Sequence, residues 1–343
     1  MTDVEQNSCE PLAALVKAFA GRRVLVVGDL IADQFVSGEI SRVSREAPVM
    51  ILRHERTETV PGGAANCALN LATLGARAVV VGAVGADEAG REMLEKLNAA
   101  GVDCGGVVIA PELRTTTKVR ILAGHAHSPR QQVVRLDYEG EPLTDVTLLE
   151  RLADNVRGAF EGAGAAIVSD YNYGVACTLT VGMLRDGAAS TTGGGAPILV
   201  DSRFRLREFK GLTSATPNED EVEQVAGRRF EDADELALEG ERLRVALGYR
   251  ALLITRGKHG MLLLEEGASA LHLAAVGSHD AVDVTGAGDT VIATYALALA
   301  SGAKFADAAR LANHAGGVVV LKRGTASVSP GELLASIEQE GHA

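Results

Sequence analysis

Seven residues near the C-terminal end carry the strongest chemical signal: Asp283-Val284-Thr285-Gly286-Ala287-Gly288-Asp289, followed at once by a run of small and apolar residues over 290–300. Gly286 and Gly288 allow a tight turn and a close backbone approach, and the free N–H groups that open a helix point at whatever sits there. Gly286, Ala287 and Gly288 therefore outline an anion hole. A carboxylate beside an anion repels it, so Asp289 makes chemical sense if it faces an incoming hydroxyl and takes its proton. That pairing of base and amides suits phosphoryl transfer. The plainer alternative is a glycine turn with an aspartate helix cap.

Four further segments gain weight from this one. Pro61-Gly62-Gly63-Ala64-Ala65-Asn66 opens another helix with side chains small enough to admit a ligand. The amide of Asn66 can both donate to and accept from a polyhydroxyl compound. Asp29, just after Gly28, and Asp33 four residues on could accept hydrogen bonds from sugar hydroxyls, or merely cap a loop. Asn218-Glu219-Asp220-Glu221 could hold Mg²⁺ through its waters, although an acidic first turn is ordinary helix chemistry. Thr255-Arg256-Gly257-Lys258-His259-Gly260 offers a hydroxyl, cations and glycines for nucleotide phosphates, or is a basic hairpin turn.

Positioning these groups requires a scaffold. Short Val- and Ile-rich runs over 24–27, 79–81, 107–109, 165–169, 198–200 and 251–254 look like strands buried on both faces. Helical patterns over 64–74, 89–100, 148–160 and 233–247 fall between them. The expected fold is α/β, a doubly wound, mostly parallel sheet flanked by helices, in a single domain over 1–343. Two stretches, about 36–61 and 112–138, alternate polar with apolar residues and predict a small β-sheet lid over the strand ends; the alternative is an extended sheet edge. Residues 190–195 read as a loop.

Composition narrows the partners. The 343 residues include 33 Lys+Arg and 45 Asp+Glu, a net charge of −12 that disfavours nucleic acid and anionic membrane surfaces. Hydrophobic residues at 47% supply a substantial core, so the chain is globular. With no secretory leader, no membrane-length apolar run and four well-separated cysteines, a cytoplasmic protein is expected. The eight histidines show no metal spacing; His125 and His127 read as loop residues. No serine or cysteine stands in a hydrolase context.

With GGAAN near the first third and DVTGAGD near the end, residues 22–330 resemble the ribokinase (PfkB-type) carbohydrate kinases. The resemblance implies a ribokinase-like core with a β lid, and phosphorylation of a sugar hydroxyl by ATP with Mg²⁺. It makes Asp289 the base, lines the sugar with Asn66, Gly62 and Asp29, and places Thr255, Gly257, Gly260 and Asn313 near ATP. Asn218 and Glu221 match the family's Asn-x-x-Glu metal motif, and Asp283, Thr285 and Gly324 match a K⁺ site.

Within the family, the segments 41–49, 117–120, 132–137 and 169–171 resemble the D-glycero-β-D-manno-heptose 7-phosphate kinases of lipopolysaccharide inner-core synthesis, which phosphorylate O1. Asp170 belongs to that pattern, and Arg42, Lys118, Arg120 and Arg135 are cations that could clamp a sugar's existing phosphate, or form a solvated charged face. Departures from the subgroup are Asp201-Ser202-Arg203 in place of Asp-Pro-Lys, Tyr173 in place of Lys, and a short insertion over 124–130. They keep open a kinase for ribose, a fructose phosphate or a nucleoside, and a catalytically silent sensor. A homodimer through the lids is expected, as is adenylyl transfer by another polypeptide.

Overall fold

The computed structural model describes residues 3–125, 130–190, 195–277 and 281–340. His127, residues 126–129 of the insertion and residues 191–194 of the glycine-rich loop lie outside them. Strands are numbered in chain order: β1 Arg23–Gly28, β2 Leu30–Val43, β3 Met50–Gly63, β4 Arg77–Val81, β5 Ala83–Gly85, β6 Val108–Ala110, β7 Thr116–Gly124, β8 Gln131–Tyr138, β9 Ala165–Asp170, β10 Ile198–Ser202, β11 Ser214–Ala215, β12 Ala251–Thr255, β13 Met261–Glu265 and β14 Leu271–Leu273.

The main sheet runs β14-β13-β12-β11-β10-β9-β1-β4. Its pairings are parallel from β4 to β12, while β13 and β14 add antiparallel at one edge. Successive side chains of β1 explain the two helix layers: Val24 and Val26 enter one core, Leu25 and Val27 the other. The first core holds the helices Ala64–Thr73, Ala287–Ala300 and Phe305–Val319; the second holds Val146–Phe160, Thr178–Ala189 and Ala233–Leu247. The segment 107–109 does not join the main sheet as expected, because among the described residues β6 pairs only with β5 in a two-stranded ribbon.

A separate four-stranded sheet runs β3-β2-β7-β8. It reaches closer to the main sheet than 36–61 suggested, since β2 starts at Leu30 and a single residue, Asp29, separates it from β1. β2 pairs antiparallel with β3 and parallel with β7, so Asp33 lies beside Val60 and Lys118, and Phe35 beside Arg120. Gly28, Asp170, Ser202 and Thr255 all close parallel strands at the same end of the main sheet, where open α/β folds bind ligands.

Candidate active site

Asp289 occupies the first turn of the helix Ala287–Ala300 and is 4% exposed. Gly286 caps that helix with φ 76°, a left-handed backbone, and a Cβ there would stand 2.6 Å from the Asn66 side-chain nitrogen. Glycine is required on both grounds. The amide of Ala287 closes a turn on Val284, whereas those of Gly288 and Asp289 have no backbone partner among the described residues. Two unpaired donors at a helix start, with the helix dipole behind them, make a seat for negative charge.

The carboxylate is held from two sides. Asn66 Nδ2 donates to Oδ2 at 2.8 Å, and the Tyr171 hydroxyl donates to Oδ1 at 3.1 Å. Asn66 is fixed in turn by Asn70, which donates to its Oδ1 at 3.1 Å and itself accepts from Thr290 at 3.0 Å. Burial raises the pKa of Asp289 to about 7; the two donors pull it down and nearby Asp33 pushes it up. A carboxyl tuned to that range takes a proton at neutral pH far better than an ordinary aspartate. Asn66, expected to face a sugar, instead holds the Asp289 carboxylate. The role of Tyr171 had no signal in sequence spacing.

Replacing Tyr171 by Phe removes one donor to the charged form, so the base should ionise about one pH unit higher, since such a bond contributes about 1.5 kcal/mol or more. The acid limb of the kcat/KM profile should move up accordingly, with activity near the wild-type value at pH 9 and reduced several-fold at pH 6.5. An unmoved limb would exclude the contact from tuning the base.

On one side of Asp289 opens a cleft of about 820 Å³ whose walls include Thr255, Gly257, Gly260, Asn313, Ala287 and Gly288. The residues expected near a nucleotide therefore share one cavity with the anion hole. Asn313 donates to the Ala274 carbonyl at 2.6 Å. Arg256 is not among the residues walling the cleft; its Nε lies 3.3 Å from Glu219.

Beside the anion hole, Asn218 and Glu221 form a reciprocal capping box. Burial pushes the Glu221 carboxyl up to about 7, against the pull of the Asn218 amide. Asp201, at the end of β10, is pushed well above the usual range by burial, then by Glu221 and Asp289, and Arg203 only partly offsets this. Its Oδ2 would lie 3.8 Å from a Cβ on Gly288. Asp201 was missed as a site residue, because only the parallel pairing of β9 and β10 brings it here. Oxygen donors that repel one another suit a hard divalent cation.

Asp283 stays below the usual carboxylate range despite partial burial, because the amides of Thr285 and Gly324 each donate to it at 2.9 Å. The three positions matched to a K⁺ site are therefore adjacent.

On the other side, Asp33 faces Gly62, pairs with Arg120 and accepts from Thr325 at 3.5 Å. Gly63 turns the chain with φ 56° into the helix carrying Asn66. Four expectations need correction. Asp29 accepts the amides of Tyr171, Tyr173 and Val175, so it anchors that loop. Asp170 is buried under Arg205, with Ser202 donating to it at 2.7 Å. Arg42 is exposed near the end of β2 remote from Asp33. Arg135 turns along its own strand to Asp137 at 2.9 Å. Lys118 lies 3.8 Å from Asp137 and 3.7 Å from Glu139.

The family model for pfkB family carbohydrate kinases matches residues 22–331. The chain belongs to that family. As a carbohydrate kinase it is a phosphotransferase with an alcohol acceptor, and the family implies ATP and a divalent metal. The chain is 42% identical over 326 residues to the bifunctional protein HldE of Hahella chejuensis, covering 94% of this chain and 65% of that protein. It is 41% identical over 318 residues to HldE of Pseudomonas aeruginosa, covering 92% of this chain and 64% of that protein. The chain thus spans about 65% of the length of these relatives. Among solved structures, phosphofructokinase-2 of Escherichia coli in complex with substrates and products has a TM-score of 0.74 at 17% identity, over 93% of this chain and 99% of the other. Arabidopsis thaliana ribokinase complexed with ribose and ATP has a TM-score of 0.70 at 20% identity, again over 93% and 99%. Both likenesses establish the ribokinase-like fold of this carbohydrate kinase. Among the described residues, no helix is long and apolar enough to cross a membrane.

Proposed function

We propose that this kinase transfers the γ-phosphoryl group of ATP to O1 of D-glycero-β-D-manno-heptose 7-phosphate, giving the 1,7-bisphosphate. The observation that carries the transfer chemistry is Asp289, buried between the 820 Å³ cleft and the Asp33–Gly62–Gly63 surface with unpaired amides at its own helix start. Asp289 accepts the proton of the attacking hydroxyl, and the amides of Gly288 and Asp289 receive charge on the migrating group. Asn66 and Tyr171 hold the base in place. Glu221, Asn218 and Asp201 would hold Mg²⁺ through its waters, and when bound that ion neutralises phosphate charge. Asp283, Thr285 and Gly324 would shape a K⁺ site behind the anion hole. The small sheet serves as a lid that excludes water. The heptose assignment is supported by the segments 41–49, 117–120 and 132–137 and by 41–42% identity to HldE proteins.

Exposed Val134, Leu136 and Tyr138 on β8, and Met50 on β3, support a second copy packed on the lid. Light scattering at micromolar concentration should return twice the 35.6 kDa chain mass; a monomer would remove this assignment.

Purified protein with Mg-ATP should release ADP with heptose 7-phosphate and yield a 1,7-bisphosphate by phosphorus NMR. Faster release with ribose, fructose 6-phosphate or adenosine would reassign the substrate. No release with any sugar, despite nucleotide binding, would identify a silent sensor.

A further inference from the structure

Among the described residues, Asn172 is the one non-glycine residue with a left-handed backbone, at φ 68°. Such a residue is held in place by its surroundings. Here its amide donates to Asp170 at 3.2 Å, and Asp29 clamps the amides on either side. The turn points its two tyrosines to different duties. Tyr171 bonds the base, and Tyr173 donates to the carboxylate of Glu139, just beyond β8.

The same Glu139 carboxylate lies 3.7 Å from the ammonium of Lys118, which is only 13% exposed. Burial, and then Glu139 itself, push the Tyr173 phenol up, so it remains a donor. Tyr173 also walls a cleft of about 450 Å³ together with Arg114, Thr116, Gly140 and Glu141, while Lys118 and Glu139 stand outside its walls. Arg114 stacks on Tyr138 at 4.3 Å and has no carboxylate within ion-pair distance among the described residues. Lys118 and Tyr173 thus converge on one carboxylate of the chain, with Asp137 3.8 Å from the same ammonium and the phenol's residue at the wall of the cleft.

We propose that Lys118 and Tyr173 form the subsite for a phosphate ester already carried by the sugar, and that Glu139 is a resident stand-in which this phosphate displaces. The inference rests on the sugar-phosphate reading of the active site. A phosphate dianion brings more charge and more acceptor oxygens than a carboxylate, so it wins the exchange. A sugar without phosphate leaves Glu139 in place, and the contact between loop and lid then discriminates between them.

The test compares heptose 7-phosphate with unphosphorylated heptose in the wild type and in Tyr173→Phe, Lys118→Met and Glu139→Gln. Loss of either donor should raise KM for the phosphate ester about tenfold, equivalent to about 1.4 kcal/mol, and move that for the plain sugar less than about twofold. Glu139→Gln should act in the opposite direction, lowering KM for the ester about threefold. A purely structural contact would not give opposite signs. Equal effects on both sugars, or a raised KM in Glu139→Gln, would overturn the subsite. Should the wild type phosphorylate no sugar phosphate, the substrate reading falls, and thermal-shift titration with inorganic phosphate still decides the subsite. A phosphate-dependent rise in Tm that is lost in Tyr173→Phe and Lys118→Met supports it; no rise in the wild type overturns it.

Discussion

Asp289→Asn should lower kcat by about 10²–10⁴ while leaving ATP affinity within about twofold, because it removes the proton acceptor and spares the helix-start amides. The fold should survive. The folded pKa of Asp289 lies near 7 and the unfolded value near 3.8, so the folded state binds the proton more tightly. Stability therefore falls as pH rises between those values, and above 7 the buried anion costs its full amount. An uncharged Asn escapes that cost. The variant's Tm at pH 8 should equal or exceed the wild-type value, with the gap closing toward pH 4. Wild-type turnover in Asp289→Asn would remove the base assignment; lost turnover with a lowered Tm would mean that the fold, not the chemistry, had been damaged. The same titration sets the wild-type profile: kcat/KM should rise with pH through about 7 as the base ionises.

Arg205→Met should lower the free energy of unfolding by about 3–5 kcal/mol, among the largest single-residue effects in the chain. The Asp170 side chain is fully buried, and Arg205 both pairs with it and donates to the Ala176 carbonyl at 3.0 Å. Losing the cation strands a buried carboxylate with, among the described residues, only Ser202 and the Asn172 amide. Urea unfolding at pH 7.5 measures this. Pairing the change with Asp170→Leu should recover much of the loss, since an apolar pair leaves no orphaned charge. In Asp170→Asn, KM for the sugar should move by no more than about twofold, because a hydrogen bond to bound substrate would be worth more than that. A tenfold rise would return Asp170 to the substrate.

What could be read from the chain depended on how local the information was. Gly286, Gly288 and Asp289 are legible because a left-handed turn, a tight approach and a helix-start carboxylate are set by neighbours in sequence. The strands of the main sheet are legible because burial on both faces leaves nothing but apolar residues. Segment 107–109 has the same composition and was misplaced, since composition does not say which edge a strand joins. Asp29 looked like a sugar ligand, yet its partners are amides more than a hundred residues away. Tyr171 meets Asp289 across a comparable separation. A carboxylate followed by an apolar run reads the same whether it faces a ligand or another loop.

The junction at Asp29 has a mechanical corollary. Strand β2 contains 14 residues and so forms an arm about 45 Å long, rooted in the main sheet through one peptide unit on each side of Asp29. A swivel of about 10° at that root would sweep the far tip through about 8 Å on such an arm. The pivot is not slack, because its own side chain is bolted to the loop that carries Tyr171 and Tyr173. A swivel at that root would therefore bear on the backbone that carries Tyr171 and Tyr173, and a spin label at Val43 would report it as amplified travel.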